Sequence, residues 1–199
     1  MNTALRAGAL IIITGAVAGL VLIFASDPVE APIFDIKSTK NTMTFTLTSA
    51  AFNSGDAIPS RFTCDGENVN PPLVIDGVPE GTKSLTLLVD DPDVPKQLRP
   101  DGVFDHWTLF NIDPGVRMIA TGEAPGTQGA NGAGKSTYAG PCPPPQYEPS
   151  EHRYFFKLYA LDTMLDVPAG ATKSEVRAAM EGHLLAKTEL IGKYKRVSQ

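Results

Sequence analysis

Asp90, Asp91 and Asp93 crowd the end of one apolar run, residues 85–89, and His106 opens the next, residues 107–112. A carboxylate beside an imidazole can orient the ring, fix its tautomer and raise its basicity. Pro92 and Pro95 stand among the aspartates. Neither can donate a backbone hydrogen bond, and each fixes φ, so they end the strand and stiffen the loop that follows. Charged groups held by a rigid loop at a strand mouth are how a site is built on a sheet scaffold. The same residues also read as an ordinary Asp-Pro-Asp turn next to a buried, hydrogen-bonded histidine. This stretch alone does not separate the two readings.

Both flanking runs are short, apolar and bounded by turn residues, which predicts buried strands. Residues 44–48 alternate Phe45 and Leu47 with threonines and predict a first strand with one buried face. Residues 58–64 predict a second, edge-like strand. Residues 73–75 and 85–89, separated by Gly and Pro, predict a consecutive antiparallel pair. Residues 113–153 are rich in Gly and Pro and predict no regular element; so long a loop is usually functional. Residues 154–161 form the strongest strand pattern of the second half. Thr172-Lys-Ser-Glu175 reads as a capping box, starting a helix with Val176, Ala179, Met180 and Leu184 on one face. Residues 190–196 return to a strand pattern. The expected fold is mainly β: an antiparallel β-sandwich with a C-terminal helix and long pocket-lining loops.

The chain of 199 residues, with 18 Gly, 17 Pro and 42% hydrophobic residues, suits one ordinary domain with many turns. A net charge of −5 argues against non-specific nucleic-acid binding, which needs a basic surface. The N-terminus stands apart. Arg6 precedes an uncharged run at residues 7–25, roughly 28 Å long as a helix, enough to cross a bilayer core. With Asp27 and Glu30 on the far side, the positive-inside rule predicts a cytoplasmic N-terminus. The expected organisation is an N-terminal transmembrane helix within residues 1–26, a polar tether at 27–42 and a domain at 43–199. The domain is expected on the periplasmic or extracellular side of the inner (cytoplasmic) membrane. The alternative is a signal peptide and a secreted domain, although no clean small-x-small cleavage site follows the run.

Gly129-Ala-Asn-Gly-Ala-Gly134-Lys135-Ser136 matches a phosphate-binding P-loop letter for letter. That site needs an apolar strand before the loop and a helix after it, so that N–H groups converge on the phosphates. Here Thr121-Gly-Glu-Ala-Pro precedes the loop and Gly140-Pro-Cys-Pro-Pro follows closely, so the match reads as spurious. There is no Gly-x-Ser-x-Gly elbow and no His-Glu-x-x-His. Asp91, Asp93, His106 and His152 are ordinary metal-ligand types, but their scattered spacing predicts neither a metal nor a cofactor.

Three ordered stretches carry a resemblance: Asp91-Pro-Asp-Val-Pro95, Gly140-Pro-Cys-Pro-Pro144, and His152-Arg-Tyr154 running on to Asp162. Phe62-Thr-Cys-Asp-Gly-Glu-Asn-Val-Asn-Pro-Pro72 and His106-Trp-Thr-Leu-Phe-Asn111 support it. Over roughly residues 43–196 the chain resembles the phosphatidylethanolamine-binding protein family, which includes the Raf kinase inhibitor proteins, and its tail resembles the bacterial branch. The resemblance implies a small anion pocket at one end of a β-sandwich. It implies that Asp91, Asp93, Pro95, His106, Pro143, Pro144, His152 and Tyr154 form that pocket, with the three prolines at the rim. It also implies that the Gly-rich stretch before Tyr138 is a pocket-lining loop. The insertions around Lys96 and after Pro145 vary the rim and leave ligand size open.

The chemistry of these residues agrees. Two imidazoles and a phenol can donate to phosphate oxygens, a cationic ring more strongly. No residue is an evident activated nucleophile, so binding is expected rather than catalysis. The leading expectation is a membrane-tethered binding protein for a phosphate-like or phospholipid-headgroup ligand that also modulates a partner protein. The alternative is an extracytoplasmic hydrolase using the Asp/His cluster, with or without a metal. Cys64 and Cys142 read as free packing residues, although export would permit a bridge if their Cα atoms lay within about 7 Å.

Overall fold

A computed structural model describes residues 44–196. The expected transmembrane helix and the whole of the tether lie outside those residues. Among the described residues no helix is long and apolar enough to cross a membrane.

The chain forms β1 (Thr46–Thr48), β2 (Leu73–Asp76), β3 (Ser84–Asp91), β4 (Phe104–Ile112), β5 (Met118–Ile119), β6 (Thr127–Gln128), β7 (Glu151–Leu161), the helix α1 (Lys173–Met180) and β8 (Leu184–Lys195). Two antiparallel sheets result, ordered β1-β2-β5 and β6-β4-β3-β7-β8. Leu47, Leu73, Ile75 and Ile119 of the small sheet share a core with Leu85, Leu87, Val89, Trp107, Leu109, Phe156 and Leu158 of the large one. The opposite face of the large sheet packs Leu88, Phe110 and Leu161 under Val176 and Met180 of α1. β3 is therefore covered on both sides, and all eight of its residues are buried.

Four sequence expectations need correction. Residues 58–64 are not a strand. Pro59 leads into a 3₁₀ turn, Ser60–Phe62, whose amides are spent locally (Phe62 N–H to Pro59 O, Thr63 N–H to Ser60 O); only Ala57 bridges to β8, at Lys193. β2 and β3 are not a hairpin. Residues 77–83 carry the chain from the small sheet to the large one, so each strand's apolar face meets the other across the core. The helix stops at Met180, because Gly182 takes φ +81° two residues later, and Leu184 begins β8 instead. β5 and β6 break the long irregular stretch. At the other end of α1 the capping box forms as read. Glu175 N–H donates to Thr172 Oγ1, and Thr172 N–H donates to Glu175 Oε2 at 2.7 Å.

Candidate functional site

At the end of the sandwich where β3 stops and β4 and β7 begin, a cavity of about 330 Å³ opens. It is lined by Asp91, His106, Pro143, Pro144 and His152, together with Cys64, Asn68, Val94, Phe104, Ala139, Gly140 and Cys142.

Strand geometry explains how separated residues meet. His152 and Tyr154 share one face of β7, two positions apart, while Arg153 leaves by the other. β4 carries a bulge: Val89 pairs with Trp107 and Asp90 with Asp105, so His106 is an extra residue with no partner on β3. A bulge re-aims a side chain that strict alternation would turn away. Here His106 reaches the cavity although Trp107, next to it, already faces the core between the sheets.

His152 donates from Nδ1 to Asp91 Oδ2 at 2.6 Å, and the two side chains are 1% and 4% exposed. Among the described residues Nε2 of His152 has no hydrogen-bond partner, nor has the Tyr154 hydroxyl. Desolvation is the strongest single influence on His152 and opposes its charge. The hydrogen bond and charge of Asp91, aided by Asp93 and the backbone of Pro149, outweigh it and raise the pKa above its ordinary value. His106 is the converse. Its Nδ1 donates to Ala139 O at 2.6 Å, and Phe104 and Tyr154 pack edge-on to it with centroids 4.7 and 5.1 Å away. Burial pushes its pKa down, against the hydrogen bond to Ala139 and the nearby aspartates.

Three residues of the predicted set lie off the lining. Tyr154 is buried behind the cavity against His106, and burial raises its phenol's pKa. Asp93 turns outward to a two-pronged bond with Arg153, at 2.8 and 2.6 Å, which holds its carboxyl below the usual range against some desolvation. It also accepts from Arg153 N–H, while its own N–H donates to Asp91 Oδ1, so it supports Asp91 from the rim. Pro95 is buried in the loop and does not line the cavity.

Cys64 and Cys142 are bonded to each other, with Cα atoms 5.4 Å apart, which corrects the expectation of free thiols. The bridge forms part of the cavity wall. The backbone brings the pair together: Cys64 N–H donates to Pro141 O, and Gly140 N–H donates to Asn68 Oδ1 at 2.7 Å. Gly140 is required for that approach, since a Cβ there would lie 2.7 Å from Phe62 O and 2.9 Å from Thr63 Cα. Asn68, at φ +58°, is a lining residue that the motif reading missed; a non-glycine position in the left-handed region favours asparagine. Phe104 and Val94 were also missed, and no local pattern marks either of them.

The P-loop look-alike cannot cradle an anion with its backbone. From Gly129 to Lys135 every N–H is already donated, to Thr108 O, Ala171 O, Lys135 O, Asp105 O, Asn131 O and, twice, Asn131 Oδ1. Among the described residues no group of three or more His, Cys, Asp or Glu side chains is placed to hold a metal ion.

The family model for phosphatidylethanolamine-binding protein matches residues 48–195. A UPF0098 protein of Methanothermobacter thermautotrophicus is 49% identical over 157 residues, covering 75% of this chain and 98% of its own length. A UPF0098 protein of Chlamydia trachomatis is 44% identical over 151 residues, with the same coverage. Among solved structures, the phosphatidylethanolamine-binding protein homologue CT736 of Chlamydia trachomatis superposes with a TM-score of 0.73 at 43% identity, over 79% of this chain and 99% of that one. YbcL of Escherichia coli, described as a member of the mammalian family, gives 0.68 at 28% identity, over 77% and 99%. The ordered motifs, the two-sheet fold and these likenesses agree: the chain belongs to the phosphatidylethanolamine-binding protein family.

Proposed function

We propose that the chain is a binding protein whose sheet-end cavity takes a small phosphate-like anion, held outside the cytoplasm by a membrane segment at residues 7–25. The observation that carries the binding reading is His152. A ring oriented by Asp91 and favoured as a cation keeps a buried nitrogen with no partner among the described residues. Buried polar groups are otherwise nearly always satisfied, so such a donor calls for a ligand acceptor. The family's name points to a phosphate-bearing headgroup, and a cavity of about 330 Å³ suits a ligand of that size. A role in modulating a partner protein would build on the same rim.

Binding is favoured over turnover because the lining offers no free nucleophile. It contains no serine or threonine, and both its cysteines are bridged. One observation favours the hydrolase alternative: Asp91–His152 has the form of a base held by a carboxylate. Release of inorganic phosphate from a monoester, abolished by His152→Ala, would establish that reading instead. The export half draws on Arg6, the uncharged run and the Cys64–Cys142 bridge, which suits an oxidising compartment. N-terminal sequencing of the mature protein tests it; a chain starting after Ser26 would replace the anchor with a cleaved signal.

Calorimetry with a phosphate-headgroup ligand tests the site. His152→Ala removes a charge-assisted hydrogen bond worth about 1.5–3 kcal/mol, so affinity should fall about tenfold or more. Undiminished binding in that variant would move the ligand elsewhere.

A further inference from the structure

Two loops build one wall of the cavity, and they are held in different ways. Cys64 and Asn68 come from the first; Ala139, Gly140, Cys142, Pro143 and Pro144 come from the second. The second loop is well bonded where it starts. Ala139 N–H donates to His106 O, Gly140 N–H donates to Asn68 Oδ1, and Pro141 O accepts from Cys64 N–H. Beyond Pro141 these bonds stop. Residues 143–145 are prolines with no N–H to give, and Cys142 N–H finds no backbone acceptor among the described residues. The next bond, Tyr147 N–H to Pro144 O, closes a turn inside the loop and ties it to nothing outside.

The Cys64–Cys142 bridge spans that gap. It joins the two loops where the hydrogen bonds fail, one residue before the two prolines that line the cavity. Neither cysteine belongs to the core between the sheets, so the sandwich can close without the bridge. A thiol in solution can reach it, because Cys142 is exposed and Cys64 half-buried.

We propose that the bridge completes the site: Cys64–Cys142 positions Pro143 and Pro144, so the oxidised chain holds its anion while the reduced chain folds with that wall loose and binds weakly. The inference rests on the anion-pocket reading above and adds its regulation. The chemical step is thiol–disulfide exchange with an external disulfide. One cysteine thiolate attacks it, forming a mixed disulfide and releasing one thiol; the other thiolate then attacks the mixed disulfide and releases the second. The two cysteines give up two protons and two electrons, and the external disulfide becomes two thiols. Joined to the export proposed above, this leaves the cavity incomplete in the reducing cytoplasm and completes it only outside, where phosphorylated molecules of the cytoplasm no longer compete for it.

Isothermal titration of the full-length chain in a non-ionic detergent, oxidised or held in excess dithiothreitol, is the test. Two probes separate the sources of the anion: inorganic phosphate for a free one, glycerophosphoethanolamine for a phosphodiester headgroup. Whichever binds the oxidised chain should bind the reduced chain about tenfold or more weakly, an ordinary size for coupling between two sites. The double variant Cys64→Ala/Cys142→Ala should bind as weakly, and dithiothreitol should not weaken it further. Trp107 is the chain's single tryptophan and is buried in the core, so its fluorescence reports whether the sheets stay closed. That emission should survive both reduction and the double substitution. A smaller loss of affinity in the reduced chain or in the variant overturns the proposal and spares the pocket. Loss of the folded Trp107 emission also overturns it, because the bridge would then hold the fold and not the wall. No binding of either probe by the oxidised chain overturns the pocket reading as well.

Discussion

Asp90 and Asp91 are consecutive on β3 and, because strand side chains alternate, leave the large sheet by opposite faces. Asp90, on the face covered by α1, accepts from Lys157 Nζ at 2.7 and 3.0 Å and from Lys173 Nζ at 3.2 Å, and Lys173 also pairs with Asp105. Asp91 accepts from one imidazole whose other nitrogen has no partner among the described residues. The hollow on the Asp90 side, bordered by Asp105, Lys173 and Arg177, is the larger of the two, about 490 against 330 Å³. Size therefore does not mark the site. On the Asp90 side the protein answers its own charges; on the Asp91 side, among the described residues, a buried imidazole nitrogen is left for something else to answer.

The largest expected effect is on the wall of the Asp91 side. Cys64 and Cys142 are 78 residues apart, and in a chain-entropy treatment opening so long a loop costs about 4.5 kcal/mol of stability. Denaturant unfolding with and without a reductant measures it. An unchanged midpoint would mean that packing alone closes the wall.

Next comes a direct exchange of the two aspartates' roles. Asp90→Ala strands Lys157 and Lys173 and should cost about 3 kcal/mol, at the low end for a broken buried pair because both lysines keep some access to water. Affinity for a phosphate-type ligand should stay within twofold. Asp91→Asn keeps an acceptor for His152 but removes its counter-charge, so stability should fall by only about 1–2 kcal/mol while affinity drops about tenfold. If both variants lose binding equally, the two faces are not independent.

The histidines should divide the pH profile. The raised pKa of His152 means that the stability of its pair with Asp91 is complete below pH 6.5 and is lost as pH rises through the higher folded value. The lowered pKa of His106 acts the other way: its contribution is complete above pH 6.5 and is lost as pH falls through the lower folded value. Thermal unfolding from pH 5 to 8 should show both losses in the native protein. In His152→Ala only the acid-side loss should remain.

The smallest effect is expected at Lys135, which is exposed and off the cavity lining. Lys135→Ala should change affinity less than twofold by calorimetry. A collapse of binding there would return the phosphate contact to the glycine-rich loop.

Much of this was legible along the chain, because it depends on near neighbours. Apolar runs marked β3, β4 and β7 from Tyr154 onward, and the Thr172–Glu175 box marked where α1 starts, but the extension of β7 back to Glu151, which puts His152 and Tyr154 on one face, was not marked. The ordered motifs also named five of the residues that line the cavity. What the sequence left open depends on partners far away in the chain. The bulge that turns His106 inward exists only against β3. Asp93 turns away from the cavity because Arg153, sixty residues on, offers it a two-pronged bond at the rim. The cysteines pair because Gly140 lets the loop press against residues 62–63, an approach that no spacing rule encodes. Local pattern fixes which face of a strand a side chain leaves by, through dihedral geometry. Which opposing groups it meets there, and whether they satisfy it, is settled only when the sheets close over one another.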